Sequence, residues 1–268
     1  MTRSLKVIVS FIFAVTGSTA VWADCSTLPS QSALKSALVS AVSAETSGLN
    51  LNMWATIVDR DGIVCAVAFS GVDRGAQWPG SRVISAQKAN TANAFSLDSS
   101  AASGAATTGL ALSTANLFSA VQPGGSLFGL QESNPVDHTV AYGGSSANYG
   151  TASDPMVGGK IGGVNVFGGG FALYDKIGST EKIVGALGVS GDTSCADHRI
   201  GWQVRATLGL DHLKFVAGVS GDATRPDNIV FDITPNPNGG TGISAGGFGH
   251  PHCTAADGDP ANLPPVKP

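Results

Sequence analysis

Ile161-Gly162-Gly163-Val164-Asn165-Val166-Phe167-Gly168-Gly169-Gly170-Phe171-Ala172-Leu173-Tyr174 and, shortly after, Ile183-Val184-Gly185-Ala186-Leu187-Gly188-Val189-Ser190-Gly191-Asp192 decide the fold of this chain. The first stretch reads as two short apolar strands around the Gly168–Gly170 turn. The second is a continuous apolar run of strand length, the pattern of a fully buried strand. Glycines inside strands mark places where a ligand or another backbone comes close. Ser194-x-x-Asp197 then predicts a capped helix with Ala196, Ile200, Val204 and Leu208 on one face and Gly209 as its stop. A glycine-dense sheet edge thus meets a helix N-terminus, an arrangement suited to a small-molecule pocket.

Working outward, Leu34, Ala37, Leu38, Ala41 and Val42 keep helical spacing and predict a first helix over 31–45. Met53 to Asp59 and Ile63 to Phe69 read as strands joined by the Arg60-Asp61-Gly62 turn. Ser81 to Phe95 reads as a helix, and Ser113 as the cap of a short one reaching Ala120. Residues 96–112, rich in Ser, Ala, Thr and Gly, are expected to be mobile. The long segment 122–159 has almost no periodicity, and loops of that length are usually functional or disordered. Its Phe128, Leu130, Val136, Tyr142 and Tyr149 favour an ordered lid or an assembly surface. Beyond Leu210 only Ile229 to Ile233 reads as a strand, within a Gly/Pro/Asn-rich tail. The order of elements predicts an α+β fold with a mainly antiparallel sheet.

Arg3 and Lys6 ahead of the apolar run Val7 to Val15, closed by Val21-Trp22-Ala23, predict a signal peptide over 1–23 with cleavage before Asp24. The expected product is periplasmic or secreted, with no membrane partner once the signal is gone. Asp24 directly before Cys25 argues against a lipoprotein. The 15 basic and 19 acidic residues give a formal charge of −4, and losing Arg3 and Lys6 takes it to −6, which argues against nucleic acid as a partner. In an oxidising compartment the four cysteines predict two disulfides, with three pairings possible. The favoured pairing ties the tails together through Cys25–Cys253 and joins Cys65 to Cys195 inside the core.

The Gly-Gly-x-x-x-x-Gly-Gly pattern from Gly162, the run Val184 to Gly191 and the acidic helix start carry a resemblance. With Trp54 to Gly62, the Gln87-Lys88-Ala89 helix and Pro123-Gly124-Gly125, the stretch from Ala33 to Leu210 resembles the GlcG/HbpS-like family of haem-binding, sometimes haem-degrading, domains. That resemblance implies a profilin-like, mainly antiparallel five-stranded sheet flanked by helices. Residues 24–210 would form the domain, with the loop 122–159 inserted and a Gly/Pro-rich extension, 211–268, packed on it. It implies a protein that stores, scavenges or senses haem or another tetrapyrrole, with weak haem-dependent redox activity as an addition, and a homo-oligomer. Two other readings stand beside it. One is an enzyme acting on a small carboxylated or aromatic metabolite, with Lys88, Asp197 and His198 as acid/base groups. The other is a non-catalytic oligomeric scaffold.

Haem asks for an apolar slot, cations for its propionates and often an axial side chain. His198, with Trp202 and Arg205 on the same helix face, is the candidate for the iron; the plain alternative is a surface histidine bonded to Asp197 or a loop carbonyl. His138 is the second candidate. Arg82 and Lys88 are the candidate propionate partners, unless Lys88 simply snorkels to solvent. Trp78, ahead of the Ser81 helix, can stack on a flat ligand or cap the core. The backbone N–H groups at Gly124-Gly125 and Gly168-Gly169-Gly170 can form anion nests or merely tight turns. His250-Pro251-His252-Cys253 has ligand types that suit zinc or copper, unless Cys253 is consumed by a disulfide. The nucleophile-elbow, P-loop, dinucleotide, C-x-x-C-H and H-E-x-x-H patterns all fail on spacing.

Overall fold

Ser30 accepts the Ala33 N–H and opens α1, Gln31–Ala44, whose Leu34, Ala37, Leu38 and Ala41 are buried. The structure, a computed structural model, describes residues 24–99, 108–240 and 242–268. The expected signal peptide lies outside them, as does the centre of the segment expected to be mobile. β1, Trp54–Asp59, pairs with β2, Val64–Phe69, through the turn at Gly62 (φ 80°). α2, Ser81–Phe95, follows, then the two-residue β3, Leu110–Ala111, and the five-residue α3, His138–Tyr142, inside the long loop. β4, Gly170–Ile177, and β5, Thr180–Ser190, form a hairpin that leads into α4, Ser194–Thr207. The short strands β6, Ala217–Gly218, β7, Ile233–Thr234, and β8, Ile243–Ser244, belong to the extension.

The main sheet has the order β2-β1-β5-β4, and every pair in it is antiparallel. Both faces are covered, so β1 is buried at all six positions instead of alternating. Ala55 and Ile57 pack under α1 and α4 with Leu34, Leu38, Leu187, Val189, Ile200 and Val204. Trp54 and Val58 face α2, beside Val83, Ala86 and Ala89. The close fit of α2 on β5 needs Gly188, where a Cβ would stand 2.5 Å from the Ala89 nitrogen.

Two expectations about the main sheet are corrected. The sheet has four strands, not five, because residues 164–167 never pair in a ladder. Gly162 and Gly163 take positive φ (64° and 76°) and lay the chain along α2, where Asn90 Nδ2 donates to the Gly163 carbonyl (2.8 Å) and the Asn165 N–H to Thr91 Oγ1 (3.0 Å). The hairpin turn is at Gly178 (φ 66°), not at Gly168–Gly170.

The disulfides are Cys25–Cys65 and Cys195–Cys253, not the expected Cys25–Cys253 and Cys65–Cys195. Cys25 sits in the turn just before α1, and α1 packs on β2, so its neighbour is Cys65 of β2. Cys253 lies at the start of α4, where its sulfur accepts the Cys195 N–H (3.1 Å).

The extension lies across β4 and α4. Leu213, Val216, Leu263 and Val266 share a buried cluster with Phe171, Tyr174, Ile183 and Trp202. Trp202 Nε1 donates to the Pro264 carbonyl (3.0 Å). Arg205, held against the rings of Phe171 and Trp202, pairs with Asp227 at 2.5 and 2.9 Å. Of the strand expected over 229–233, only Ile233 pairs, in β7 with β8.

Candidate functional site

α2 and α4 cover opposite faces of the sheet, yet their polar side chains meet where β5 ends and α4 begins. Lys88, fully buried on α2, donates to Asp197 Oδ2 (2.6 Å) and to the Val189 carbonyl (2.9 Å). Asp197 Oδ1 accepts the N–H groups of Gly191 (3.1 Å) and Asp192 (2.8 Å), which ties the β5–α4 turn to the pair. Burial pushes the Asp197 carboxyl up to about 6 against the pull of Lys88, and burial lowers the Lys88 ammonium.

The next residue, His198, has no exposed surface. Its ring lies 4.7 Å from the Phe171 ring and 6.2 Å from that of Trp202. Nε2 is 3.1 Å from Asn228 Oδ1 and 3.1 Å from the Ile229 nitrogen, while Nδ1 has no partner among the described residues. Desolvation lowers the imidazole to about 3, so the ring is neutral. Gly168 and Gly169 let the chain run against this helix: a Cβ on Gly168 would stand 2.9 Å from His198 Cβ, and one on Gly169 (φ 107°) 3.1 Å from Asp197 Cβ.

The helix cap is Thr193, whose Oγ1 accepts the Ala196 N–H (3.2 Å), one residue earlier than the sequence pattern places it. Ser194 is thereby free for other contacts. Its Oγ accepts the Gly168 N–H (2.6 Å) and lies 2.7 Å from His250 Nε2. His250 Nδ1 is 2.7 Å from the Pro251 carbonyl, which can only accept, so Nδ1 carries the proton and Nε2 accepts from Ser194.

Lys88, Asp197, His198 and Gly168–Gly170 therefore come together, and the other expected residues do not join them. Arg82 is buried in an ion pair with Asp154 of the long loop, donates to the Ala141 carbonyl (2.8 Å) and lies 3.6 Å from the Tyr149 ring centroid. Trp78 is 50% exposed ahead of α2. Gly124 and Gly125 line a surface groove of about 560 Å³ with Ser119 and residues 242–248, to which neither His198 nor Lys88 contributes. His138 is exposed at the start of α3. His252 stacks on Phe231 at 4.1 Å, apart from His250.

The donor set suits haem: a neutral imidazole with an unpartnered nitrogen, aromatic walls and a nearby cation. The space does not. Asn228 and Ile229 of the extension fill the volume over His198, and Lys88 is already neutralised by Asp197. The same closure leaves an acid/base reading of Lys88, Asp197 and His198 without a route for substrate. The contacts of Asn228, Ser194 and Asp154 were not legible in the sequence because each meets its partner across at least 30 residues.

These features define an α+β domain: an antiparallel four-stranded sheet between helices, with a sealed polar cluster at the start of α4. Residues 31–205, more than half of the chain, match the family model described as HbpS-like, haem degrading protein HbpS-like, and the chain belongs to that family. Three solved structures are similar. Klebsiella pneumoniae protein ORFY is 22% identical, over 68% of this chain and 90% of that one, with a TM-score of 0.39. A PduOC:heme complex is 21% identical over 66% and 89%, with a TM-score of 0.41. A double mutant of Streptomyces reticuli HbpS is 17% identical over 77% and 99%, with a TM-score of 0.39. No curated protein matches the chain by sequence.

Proposed function

We propose that this protein is an exported haem- or tetrapyrrole-binding module of the HbpS-like family, with its site at the start of α4 closed by the C-terminal extension. The observation that carries the reading is the unpartnered, fully buried Nδ1 of His198. Burying such a nitrogen without a partner costs about 1–3 kcal/mol, and a site that holds a ligand in another conformation accounts for keeping it. Family membership supports the reading. Two disulfides suit an oxidising compartment, and no described helix is long and apolar enough to cross a membrane. Storage, scavenging or sensing fits better than turnover, because Lys88 and Asp197 are committed to each other. The Asn228–Ile229 segment must lift from α4 for the ligand to enter, so slow association is expected.

The test is a visible-absorption titration of the full chain with haemin. A saturable Soret shift at one haemin per chain is expected, displaced in His198→Ala while far-UV circular dichroism stays that of the parent. No saturable shift over hours of incubation overturns the reading. A shift untouched by His198→Ala removes His198 from the site.

A further inference from the structure

Cys195 Sγ, Cys253 Sγ and a ring nitrogen of His250 all lie within 4.8 Å of one another. They come from α4 and from a tail segment more than 50 residues later, and the two sulfurs are joined as a disulfide. We propose that reduction of this disulfide by a dithiol reductant turns the three side chains into a binding site for a thiophilic divalent cation of the zinc class. Of the His250-Pro251-His252-Cys253 cluster that the tail sequence suggests, His250 and Cys253 remain, while His252 stacks on Phe231 and Cys195 takes its place.

Three features of the structure support this assignment. The Pro251 carbonyl holds the proton on His250 Nδ1, so the ring's lone pair is on Nε2, where a cation would displace the Ser194 hydroxyl proton donor. Cys195 stands in the first turn of the 14-residue α4, and its N–H points at Cys253 Sγ, so N–H groups and helix dipole both favour thiolate. Ser194 Oγ, 2.7 Å from Nε2, offers an oxygen beside the group, with a water able to serve in its place.

The geometry suits a tetrahedral ion. With metal–sulfur bonds of about 2.3 Å, two thiolates stand about 3.7 Å apart. The Cα atoms of Cys195 and Cys253 are 6.0 Å apart, so side-chain rotation alone can open that distance. The electrons and protons balance. The S–S bond takes two electrons and two protons from the dithiol, which leaves as a disulfide, and the cation then displaces both thiol protons. The cation replaces the disulfide as the tie between α4 and the tail.

Cys25, Asp59 and Cys65 form a second such group, but Asp59 Oδ1 already accepts the N–H groups of Asp61 (3.0 Å) and Ile63 (2.9 Å), which makes this pair the internal control.

The experiment titrates Co²⁺ into the full chain, oxidised and after reduction with a phosphine, and follows the near-ultraviolet thiolate charge-transfer band and the visible d–d bands. One equivalent should bind to the reduced protein only, with d–d intensity of a tetrahedral site. Zn²⁺ should displace it. His250→Ala should weaken binding at least tenfold, while Cys25→Ser/Cys65→Ser should leave it unchanged. The proposal is overturned if the reduced chain binds no more Co²⁺ than the oxidised one. It is equally overturned if binding ignores His250→Ala or is lost with the Cys25/Cys65 pair. A reduced chain that unfolds by circular dichroism and is not restored by the metal also overturns it.

Discussion

His198 and His250 are both buried as neutral rings, and that sets how the molecule responds to acid. Each has a folded pKa, about 3 and about 4, below the ordinary 6.5, so the unfolded chain binds more protons between those values. Their contribution is complete above pH 6.5 and is lost as pH falls, by up to about 1.4 kcal/mol per pH unit for each histidine. Asp197 works the other way: its folded pKa of about 6 is raised, so its contribution is lost as pH rises from 3.8 through 6. Two histidines outweigh one carboxyl, and the net result is destabilisation by acid below about pH 6.5. Urea midpoints at pH 7, 6 and 5 should fall in that order, and His198→Gln should flatten the slope. An unchanged slope in that variant would show that the ring is not buried as a neutral base. Lys88→Met tests the neighbouring pair. It leaves a buried carboxylate without its cation and should cost about 3–5 kcal/mol. Adding Asp197→Asn keeps an acceptor for the Gly191 and Asp192 N–H groups and should recover much of the loss, so a double variant no more stable than the single one rules out the pair as the cause.

At the scale of elements, the disulfides report how helices sit on strands. Cys25–Cys65 fixes the start of α1 to β2, and Cys195–Cys253 fixes the tail to the start of α4. Peptide mapping without reduction should recover those two cross-links, and recovery of Cys25–Cys253 would refute the packing of α1 on β2. Losing either bridge should cost roughly 2–5 kcal/mol. The helices over 31–45 and 81–95 and the β1–β2 hairpin were legible because their apolar spacing and turn residues are local signals. Residues 164–167 misled because an apolar segment that lies along a helix has the composition of a strand. Only its missing ladder partner distinguishes the two.

At the scale of the whole molecule, residues 211–268 are built into the core. They cover Phe171, Tyr174 and Trp202 and supply Asp227 to the buried Arg205. A chain ending at Leu210 would expose that aromatic cluster and leave a buried cation unpaired, so it should bind a hydrophobic dye and lose cooperative unfolding. A truncated chain with the urea midpoint of the parent would show the extension to be a mere appendage. The long loop is joined in the same way, through Asp154 to Arg82.

The sequence alone determined the α+β class, the antiparallel sheet, the helix that carries Lys88 and the helix that carries Asp197 and His198. Apolar periodicity, turn glycines and capping residues act within a few positions of one another, so one chain is enough to read them. Tertiary structure decided the rest: four strands instead of five, the cysteine pairing, the partners of Arg82 and Lys88, and the closure over His198. Each of those depends on two segments, distant in sequence, competing for one volume or one buried charge. The sequence names the charged residues, but which carboxylate reaches which cation is settled by burial. An unpaired charge inside the core costs several kcal/mol, so the chain folds back until Asp154, Asp197 and Asp227 stand beside Arg82, Lys88 and Arg205.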